Sequence, residues 1–230
     1  MNRVYSIGTV AVLVGLGTGL IAMSAEQDRS ADAAGQAWNA PSVEGDAQRK
    51  ASALASYSVD PVHSSVHFMI KHAGVSNFYG RFNAPQGTLA FDPENPESAR
   101  MEFMVDMSSV DTGNAGRDDH LRSGDFFNAR QFPQATFEST SFTAAEDMGE
   151  NMYTVEGELT LHGETKPVTV YFEWLGTGEF RGNAIGAFQA QMEIQRRDFG
   201  MTTYSADDGS DSGALGNTVQ ILLSAEAGRQ

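Results

Sequence analysis

Apolar and polar residues alternate with a period of two along most of the chain from Tyr57 onward. In one run Phe68, Ile70 and His72 share one side, with His67 on the other. Similar runs recur at residues 101–108, 153–162, 168–174, 188–195 and 219–225. One apolar and one polar face is typical of antiparallel sheet, so the pattern predicts about eight to ten strands.

Short turn signals separate these runs, for example Asp92-Pro93 and His162-Gly163. Many strands joined by local turns predict a sandwich or a closed barrel, and the regular meander favours a barrel because closure leaves no free edge. The predicted fold is all-β: an extended antiparallel barrel of eight strands, or slightly more, over residues 55–230. A short helical turn around residues 117–122 is the one helical feature expected.

The longest interruption of the alternation lies at residues 109–140. Charged residues cluster in its first half, around Arg117 to Asp125, and phenylalanines gather towards its other end. A loop of this length inside a compact β domain usually has a function. This composition suits the rim of an apolar cavity better than a hydrolytic site, so residues 111–132 are expected to act as a lid.

The predicted inner face consists of Phe, Val, Ile, Leu and Met, with His72 as its ionisable residue. Residues 100–110 would extend ~33 Å at ~3.3 Å per residue. Because an eight-stranded barrel can hold one small ligand, a long barrel with this lining would bind a long apolar molecule. The alternative is that the side chains fill the barrel completely, and periodicity alone does not separate the two.

Composition excludes several classes of function. The chain of 230 residues contains no cysteine, which excludes disulfides and thiolate metal sites. Its 30 acidic and 15 basic residues give a net charge of −15. Such a chain lacks the basic surface that nucleic acids require, and it would not dock on anionic lipid by charge alone.

The first 24 residues have the layout of an export signal. Arg3 precedes an uncharged apolar stretch at residues 5–23, and small residues follow at Ser24 and Ala25. We expect cleavage after residue 24 and a periplasmic or secreted protein. The alternative is a retained inner-membrane anchor, since the stretch approaches the ~20 residues of a spanning helix. Residues 25–54 are rich in Ala, Ser, Gln, Asp and Gly, which predicts a flexible linker.

The sequence offers only weak candidates for a catalytic site. His120 lies beside Asp119 and near Asp125, where it could latch the lid and meet a ligand head group, or only order the loop. Ser123 is close, but no nucleophile-elbow pattern surrounds it. The sequence therefore predicts no catalytic residues and no enzymatic activity.

The histidines do not form a metal motif. His67 and His72 point to opposite faces of one strand, and no HExxH or HxH pattern occurs. Asp207, Asp208 and Asp211 lack the EF-hand spacing, so residues 206–216 are expected to form a solvated acidic loop. The sequence predicts no metal site and no cofactor.

Several longer motifs occur together in the predicted barrel. They include Tyr-Ser-Val-Asp-Pro-x-His-Ser-x-Val-x-Phe at 57–68, Arg-Asp-x-His-Leu-Arg-Ser-x-Asp-Phe at 117–126, Phe-Pro-x-Ala-Thr-Phe at 132–137, Gly-x-Leu-Thr-Leu-His-Gly-x-Thr-Lys-Pro-Val at 157–168 and Arg-x-Asp-Phe-Gly at 196–200. On these motifs the chain, from about residue 55 to residue 227, resembles the YceI-like family, the lipocalin-like polyisoprenoid-binding proteins of bacteria.

The resemblance implies a lipocalin-like barrel, exported to the periplasm, whose lumen holds a long isoprenoid chain such as a polyprenyl or quinone tail. The family is not established as enzymatic. Together with the inner faces of the strands, the resemblance predicts a set of residues that contact the ligand or line its portal. They are Phe68, Ile70, His72, Phe78, Phe82, Phe103, Val105, His120, Leu121, Phe126, Phe127, Phe132, Phe137, Phe172 and Phe188.

The predicted function is to bind, and to sequester or carry, a long-chain isoprenoid lipid, either a polyprenyl or a lipoquinone. Two alternatives stay open: binding of a fatty acid or fatty amide, and a periplasmic enzyme acting on isoprenoids. The expected partners are the lipid and, through the N-terminal segment, a membrane. The oligomeric state is open, with a dimer as one option.

Overall fold

The structure, a computed structural model, describes residues 54–230. The predicted export signal (residues 1–24) and the predicted linker (residues 25–54, apart from Leu54) therefore lie outside the described residues. The strands of the described part are β1 (Ala55–Val59), β2 (Ser65–His72), β3 (Ser76–Phe82), β4 (Gln86–Phe91), β5 (Arg100–Asp106), β6 (Val110–Asp111), β7 (Gln134–Ala144), β8 (Met152–Leu161), β9 (Glu164–Phe180), β10 (Asn183–Gln195) and β11 (Leu215–Arg229). Its α-helix is α1 (Ala115–Arg122), and short 3-10 helices lie at Pro96–Ser98, Met107–Ser109 and Arg196–Phe199. No helix within residues 54–230 is long and apolar enough to cross a membrane.

Eight of these strands close into an antiparallel barrel. Their order is β1-β4-β5-β7-β8-β9-β10-β11, and β1 closes the ring by pairing with β11 as well as with β4. The strands β7 to β11 form a meander in which each pairs with the next. The predicted all-β, eight-stranded antiparallel barrel with additional strands and a short helix is confirmed.

The strands in the first third of the described chain form two groups in the barrel wall, which we call tiers. β1 and β2 lie along the same edge of β11, since Val59 pairs with Ala227 and Ser65 pairs with Ser224. The first tier (β1, β4, β5) belongs to the closed ring. The second tier (β2, β3, β6) continues the sheet from β11 and ends at β6. The lid segment (residues 111–132) connects this last strand to β7.

The segment at residues 100–110, which was expected to be continuously extended, is broken. β5 ends at Asp106, a 3-10 helix follows, and β6 begins at Val110. The carboxylate of Asp106 accepts a hydrogen bond from the backbone N–H of Ser108 at 2.7 Å, which caps this short helix. The break lets the chain leave the first tier and pair with β3 in the second.

Aromatic side chains fill one end of the barrel. This aromatic plug consists of Phe91, Phe142, Tyr153, Phe172, Trp174 and Phe188, none more than 7% exposed. The ring centroids of Phe91 and Trp174 are 5.0 Å apart, and Phe172 stacks on Phe188 at 5.2 Å. Rings at these distances form an ordinary close-packed core. At this end, side chains do fill the barrel.

Candidate functional site

The other end of the barrel is hollow. A cavity of about 620 Å³ lies there, within the ~300–1,000 Å³ range that is usual for ligand pockets. The same strands build both ends: β7 contributes Phe137 to the cavity and Phe142 to the plug, and β10 contributes Ile194 to the cavity and Phe188 to the plug. The cavity is therefore a pocket with a packed floor.

Apolar side chains form most of the cavity wall. Phe68 and Ile70 enter from β2, and Leu121 and Phe127 enter from the lid segment. The ring of Phe82 joins the two sides, with its centroid 5.7 Å from that of Phe68 and 5.4 Å from that of Phe127. A hydrocarbon chain placed here would exchange contact with water for contact with protein, which is favourable.

Most of the residues predicted to contact a ligand line this cavity. They are Phe68, Ile70, His72, Phe78, Phe82, Phe103, Val105, His120, Leu121, Phe126, Phe127 and Phe137. Phe172 and Phe188 belong instead to the plug, and the ring of Phe132 packs on His162 at 4.9 Å, away from the cavity lining. That the lining residues contact a ligand stays a prediction.

The cavity also contains residues that the sequence analysis did not single out. From the inward faces of the strands come Val66, Met101, Leu159, Leu161, Val170, Ala190, Met192, Ile194, Val219, Ile221 and Leu223. Alternation alone could have found these. Tyr204 comes from the segment that connects β10 to β11, Leu215 is the first residue of β11, and Arg196 comes from the 3-10 helix that follows β10. These three lie beyond the alternating runs, so that signal could not reveal them.

Hydrogen bonds fix α1 against β6 at the edge of the cavity. The buried carboxylate of Asp118 accepts the backbone N–H of Thr112 at 2.9 Å and also the Thr112 hydroxyl. Arg122 donates to the carbonyls of Ser108 and Val110 at 2.8 and 2.9 Å. Because these bonds satisfy polar groups at the two ends of the helix, α1 forms a fixed part of the wall.

Three rings border the mouth of the cavity. The centroid of His120 is 5.0 Å from that of Phe126 and 6.4 Å from that of Tyr204, and the last two are 6.2 Å apart. His120 Nε2 also lies 3.0 Å from Asp125 Oδ2, so the partner of the predicted latch is in place. Tyr204 adopts a left-handed conformation (φ +60°), and its carbonyl accepts the N–H of Leu215 at 2.9 Å. The lid segment and the β10–β11 connection therefore meet across the mouth.

A buried arginine forms part of the cavity wall. Arg196 is 4% exposed, and its guanidinium donates to the carbonyls of Gly216 at 2.7 Å, Met201 at 2.9 Å and Leu215 at 3.3 Å. Burial lowers the pKa of Arg196, and the neighbouring positive charge of Arg197 acts in the same direction. An arginine stays protonated in proteins at neutral pH, so the wall carries a positive charge.

A separate polar cluster lies outside the cavity, where the chain passes from β1 to β2. His63 Nδ1 donates to Asp60 Oδ2 at 2.8 Å and lies 4.0 Å from Glu226 Oε1. This hydrogen bond lowers the pKa of Asp60 and raises the pKa of His63. The backbone N–H of Asp60 and the hydroxyl of Ser64 both donate to the Glu226 carbonyl. The three titratable groups are close enough to hold a cation, and the absence of a metal site stays a prediction.

The acidic loop at residues 206–216 is ordered by hydrogen bonds. Asp211 Oδ1 accepts the backbone N–H groups of Asn217 and Thr218, each at 2.7 Å. The side-chain amide of Asn217 donates to the Gly209 carbonyl at 2.8 Å. One of the three aspartates considered for calcium thus has a structural role, because it binds the loop to the beginning of β11.

Known proteins are similar to this barrel in sequence and in fold. A UPF0312 protein of Pseudomonas aeruginosa is 39% identical over 179 residues, which cover 76% of this chain and 88% of that protein. The crystal structure of Burkholderia cenocepacia BcnA has a TM-score of 0.63 at 27% identity, over 74% of this chain and 99% of that one. A structure described as a polyisoprenoid binding domain from Saccharophagus degradans has a TM-score of 0.52 at 15% identity, over 77% and 99%, and thus shares the fold.

The family match covers the described barrel almost completely. Residues 57–227 match the family described as YceI-like domain, from the middle of β1 to the last residues of β11. The match includes the lid segment, the 3-10 helix that carries Arg196 and the strands of both the plug and the cavity. The chain belongs to the YceI-like family.

Proposed function

We propose that this protein binds a long-chain isoprenoid lipid, a polyprenyl or a lipoquinone, in the barrel cavity and sequesters or carries it. The observation that carries the proposal is an apolar cavity of about 620 Å³ in a barrel whose opposite end is packed with aromatic rings. The description of the Saccharophagus degradans domain as polyisoprenoid binding supports the choice of ligand class.

Burial of hydrocarbon would supply the affinity. At about 0.8 kcal/mol for each buried CH₂ group, a five-carbon isoprene unit contributes roughly 4 kcal/mol at most. Association itself costs about 4–15 kcal/mol in lost freedom. A single unit is therefore too small to bind, whereas several units in the cavity give a stable complex. Affinity should rise with the number of isoprene units until the cavity is full.

The ligand would enter tail first through the mouth. The plug blocks the inner end of the barrel, so the tail lies among Phe68, Phe103 and Phe137 while the head group stays near His120 and Tyr204. The lid segment is anchored at α1, which leaves the residues after the helix to move during entry. His120 and Asp125 would latch that part of the lid segment when the ligand is inside.

The geometry around His120 favours binding over catalysis. The hydroxyl of Ser123 donates to the backbone carbonyl of His120 at 2.7 Å and accepts the N–H of Asp125 at 3.3 Å. Both contacts belong to the C-terminal cap of α1, and neither aligns the hydroxyl with the imidazole as a nucleophile would require. Carriage or storage outside the cytoplasm, after export directed by residues 1–24, would fit this role.

Extraction of the purified protein with organic solvent, followed by mass spectrometry, tests the proposal. The full chain would be produced with its leader in a bacterium that makes polyprenyl lipids and quinones. The expected result is one prenyl species per barrel at near-stoichiometric amount. Recovery of an acyl species would contradict the isoprenoid assignment. Recovery of no lipid, together with no uptake from vesicles that contain prenyl lipids, would contradict lipid binding itself.

A further inference from the structure

The charged side chains of the cavity lining are two arginines. The described residues that line it include Arg117 and Arg196, together with the imidazoles of His72 and His120, but no aspartate or glutamate. This composition differs sharply from that of the whole chain, in which 30 acidic residues outnumber 15 basic ones. A cleft lined by one sign of charge focuses the potential and attracts ligands of the opposite sign.

Arg117 is held at the rim by neutral partners. Its guanidinium carbon lies 4.5 Å from the centroid of the Phe78 ring, a cation–π contact. Its Nε donates to the Thr112 hydroxyl and its Nη2 to the Thr112 carbonyl, both at 2.8 Å. These contacts fix the orientation of the guanidinium and leave N–H groups available to a ligand, while the Thr112 hydroxyl in turn donates to the carboxylate of Asp118.

Arg196 is in a similar electrostatic situation deeper in the wall. Each of its three guanidinium nitrogens donates one hydrogen bond to a different backbone carbonyl. Two of its five N–H groups are not used by these three bonds. No carboxylate of the described residues lies within salt-bridge distance of Arg196 or of Arg117. Beside an apolar cavity such charges are screened less than on the surface.

Acidic partners do occur at this end of the barrel. Arg81 on β3 pairs with Asp111 at 2.8 Å, and Arg122 at the end of α1 pairs with Asp119 at 2.9 Å. Neither of the two arginines that line the cavity has such a carboxylate partner among the described residues. A permanent internal partner would occupy the N–H groups that a ligand could use.

We propose that the mouth of the cavity is a subsite for an anionic head group, so that the bound lipid is a prenyl phosphate ester. The inference rests on the proposed function and extends it from the tail to the head. The prenyl tail occupies the apolar part of the cavity, and the phosphate oxygens accept hydrogen bonds from Arg117 at the rim and Arg196 in the wall. Guanidinium groups suit phosphate because they donate through parallel N–H groups.

Binding of matched ligands to the delipidated full chain tests this subsite. Geranylgeranyl phosphate, geranylgeraniol and inorganic phosphate would be compared in the same detergent by displacement of a fluorescent lipid. The ester and the alcohol share one tail, so their ratio isolates the head group. We expect the ester to bind about 10- to 100-fold more tightly than the alcohol, as for hydrogen bonds to charged groups. Inorganic phosphate at the same concentration should not displace the probe.

Substitution of Arg117 separates a head-group contact from a structural role. Arg117→Gln keeps a donor for Thr112 but removes the charge, and should lower the preference for the ester about tenfold while geranylgeraniol binds as before. Arg117→Lys should restore much of the preference. Arg81→Gln, a matched change of an exposed arginine on the barrel wall, should leave both affinities unchanged. Arg196 is less suitable, because its loss would leave three buried carbonyls unpaired.

Equal affinity of the wild-type protein for the ester and the alcohol would overturn the subsite and leave isoprenoid binding intact. An unchanged preference in Arg117→Gln would do the same. If inorganic phosphate displaced the fluorescent lipid as effectively as the ester, the anion site would be independent of the prenyl tail. That result would also overturn the proposal. If neither prenyl compound bound, the proposed function itself would fail.

Discussion

The two ends of this barrel share strands, alternation and inward apolar faces, yet one is packed and the other is hollow. The difference arises within one pleat of the sheet. On β9 the inward residue changes from Phe172 in the plug to Val170 in the cavity, and on β10 from Phe188 to Ala190. Ala190 and Phe172 are direct cross-strand partners, so the boundary between plug and cavity runs between them.

This comparison shows that the same alternating pattern can build either a packed core or a cavity, depending on which side chains meet across the barrel. The alternation of apolar and polar residues along the strands is the same at both ends. Rings in contact close the packed end, as with Phe91 and Tyr153, whose ring centroids are 5.3 Å apart. At the other end a cavity of about 620 Å³ begins beside the smaller residues Val170 and Ala190, although rings such as Phe68 also line it. An empty apolar cavity forgoes packing energy, which a bound ligand can recover.

The largest effect is expected from a charge placed on the cavity wall. Phe68→Glu should abolish lipid recovery, because an unpaired carboxylate facing a bound hydrocarbon costs several kcal/mol. Mass spectrometry of extracted lipid measures the loss. Met69→Glu is the matched control, since Met69 is the next residue of β2 and does not line the cavity. Wild-type lipid content in Phe68→Glu would show that the cavity does not hold the lipid.

Deletion of a ring should cost more in the plug than in the cavity. Phe172→Ala removes a fully buried ring with close neighbours and should lower the free energy of unfolding by about 3–5 kcal/mol. Phe103→Ala should cost at least about 1 kcal/mol less, because part of that ring faces empty space and has fewer contacts to lose. Denaturant unfolding of the delipidated proteins measures both. Equal losses would mean that the cavity collapses around its wall.

The inward faces of the strands could be predicted from the sequence, because alternation reports directly on burial. This is why Phe68, Ile70, Phe103 and Val105 all line the cavity. Alternation does not report which inward residues meet each other across the barrel. Phe172 had the same pattern as the cavity residues but lies in the plug, since its neighbours across the lumen are also rings.

The polar part of the site depended on tertiary structure. Arg196 and Tyr204 lie outside the alternating runs, and the pairing of β10 with β11 brings them to the cavity. The absence of carboxylates from the described lining is a property of the assembled cavity, and no local stretch of sequence displays it. Likewise, the break after Asp106 depends on a side-chain cap that interrupts an otherwise regular alternation.

Moving the boundary between the two ends should shorten the ligand that fits. Ala190→Phe would add a ring beside Phe172 and extend the plug into the cavity. The longest prenyl chains should then bind more weakly by roughly 1–3 kcal/mol, because less of the tail is buried, while shorter chains bind as before. Affinity measured against the number of isoprene units should reach its plateau earlier than in the wild type. An unchanged plateau would place the tail elsewhere.

The smallest effect concerns the junction where the two tiers meet on β11. Asp60 and Ser64 contact the backbone of Glu226, which lies between the residues that pair with β1 and those that pair with β2. His63 donates to Asp60, and this bond raises the pKa of His63. Because the pKa of His63 is higher in the folded protein, the contribution of His63 to stability is complete below its pKa in the unfolded chain, about 6.5. This contribution is lost as the pH rises through its pKa in the folded protein.

His63→Asn should therefore lower the stability of the protein slightly at about pH 5.5 and hardly at all at about pH 8.5. The reason is that the imidazole of His63 is charged at about pH 5.5 and has lost its proton at about pH 8.5. Denaturation midpoints of wild type and variant at the two pH values measure this difference. His67→Asn is the control, since His67 is an exposed histidine of β2 whose partner is the hydroxyl of Ser65 at 3.0 Å. A difference that grew with pH would mean that His63 stabilises the junction as a neutral group. His63 and Asp60 would then not act as an ion pair at this junction.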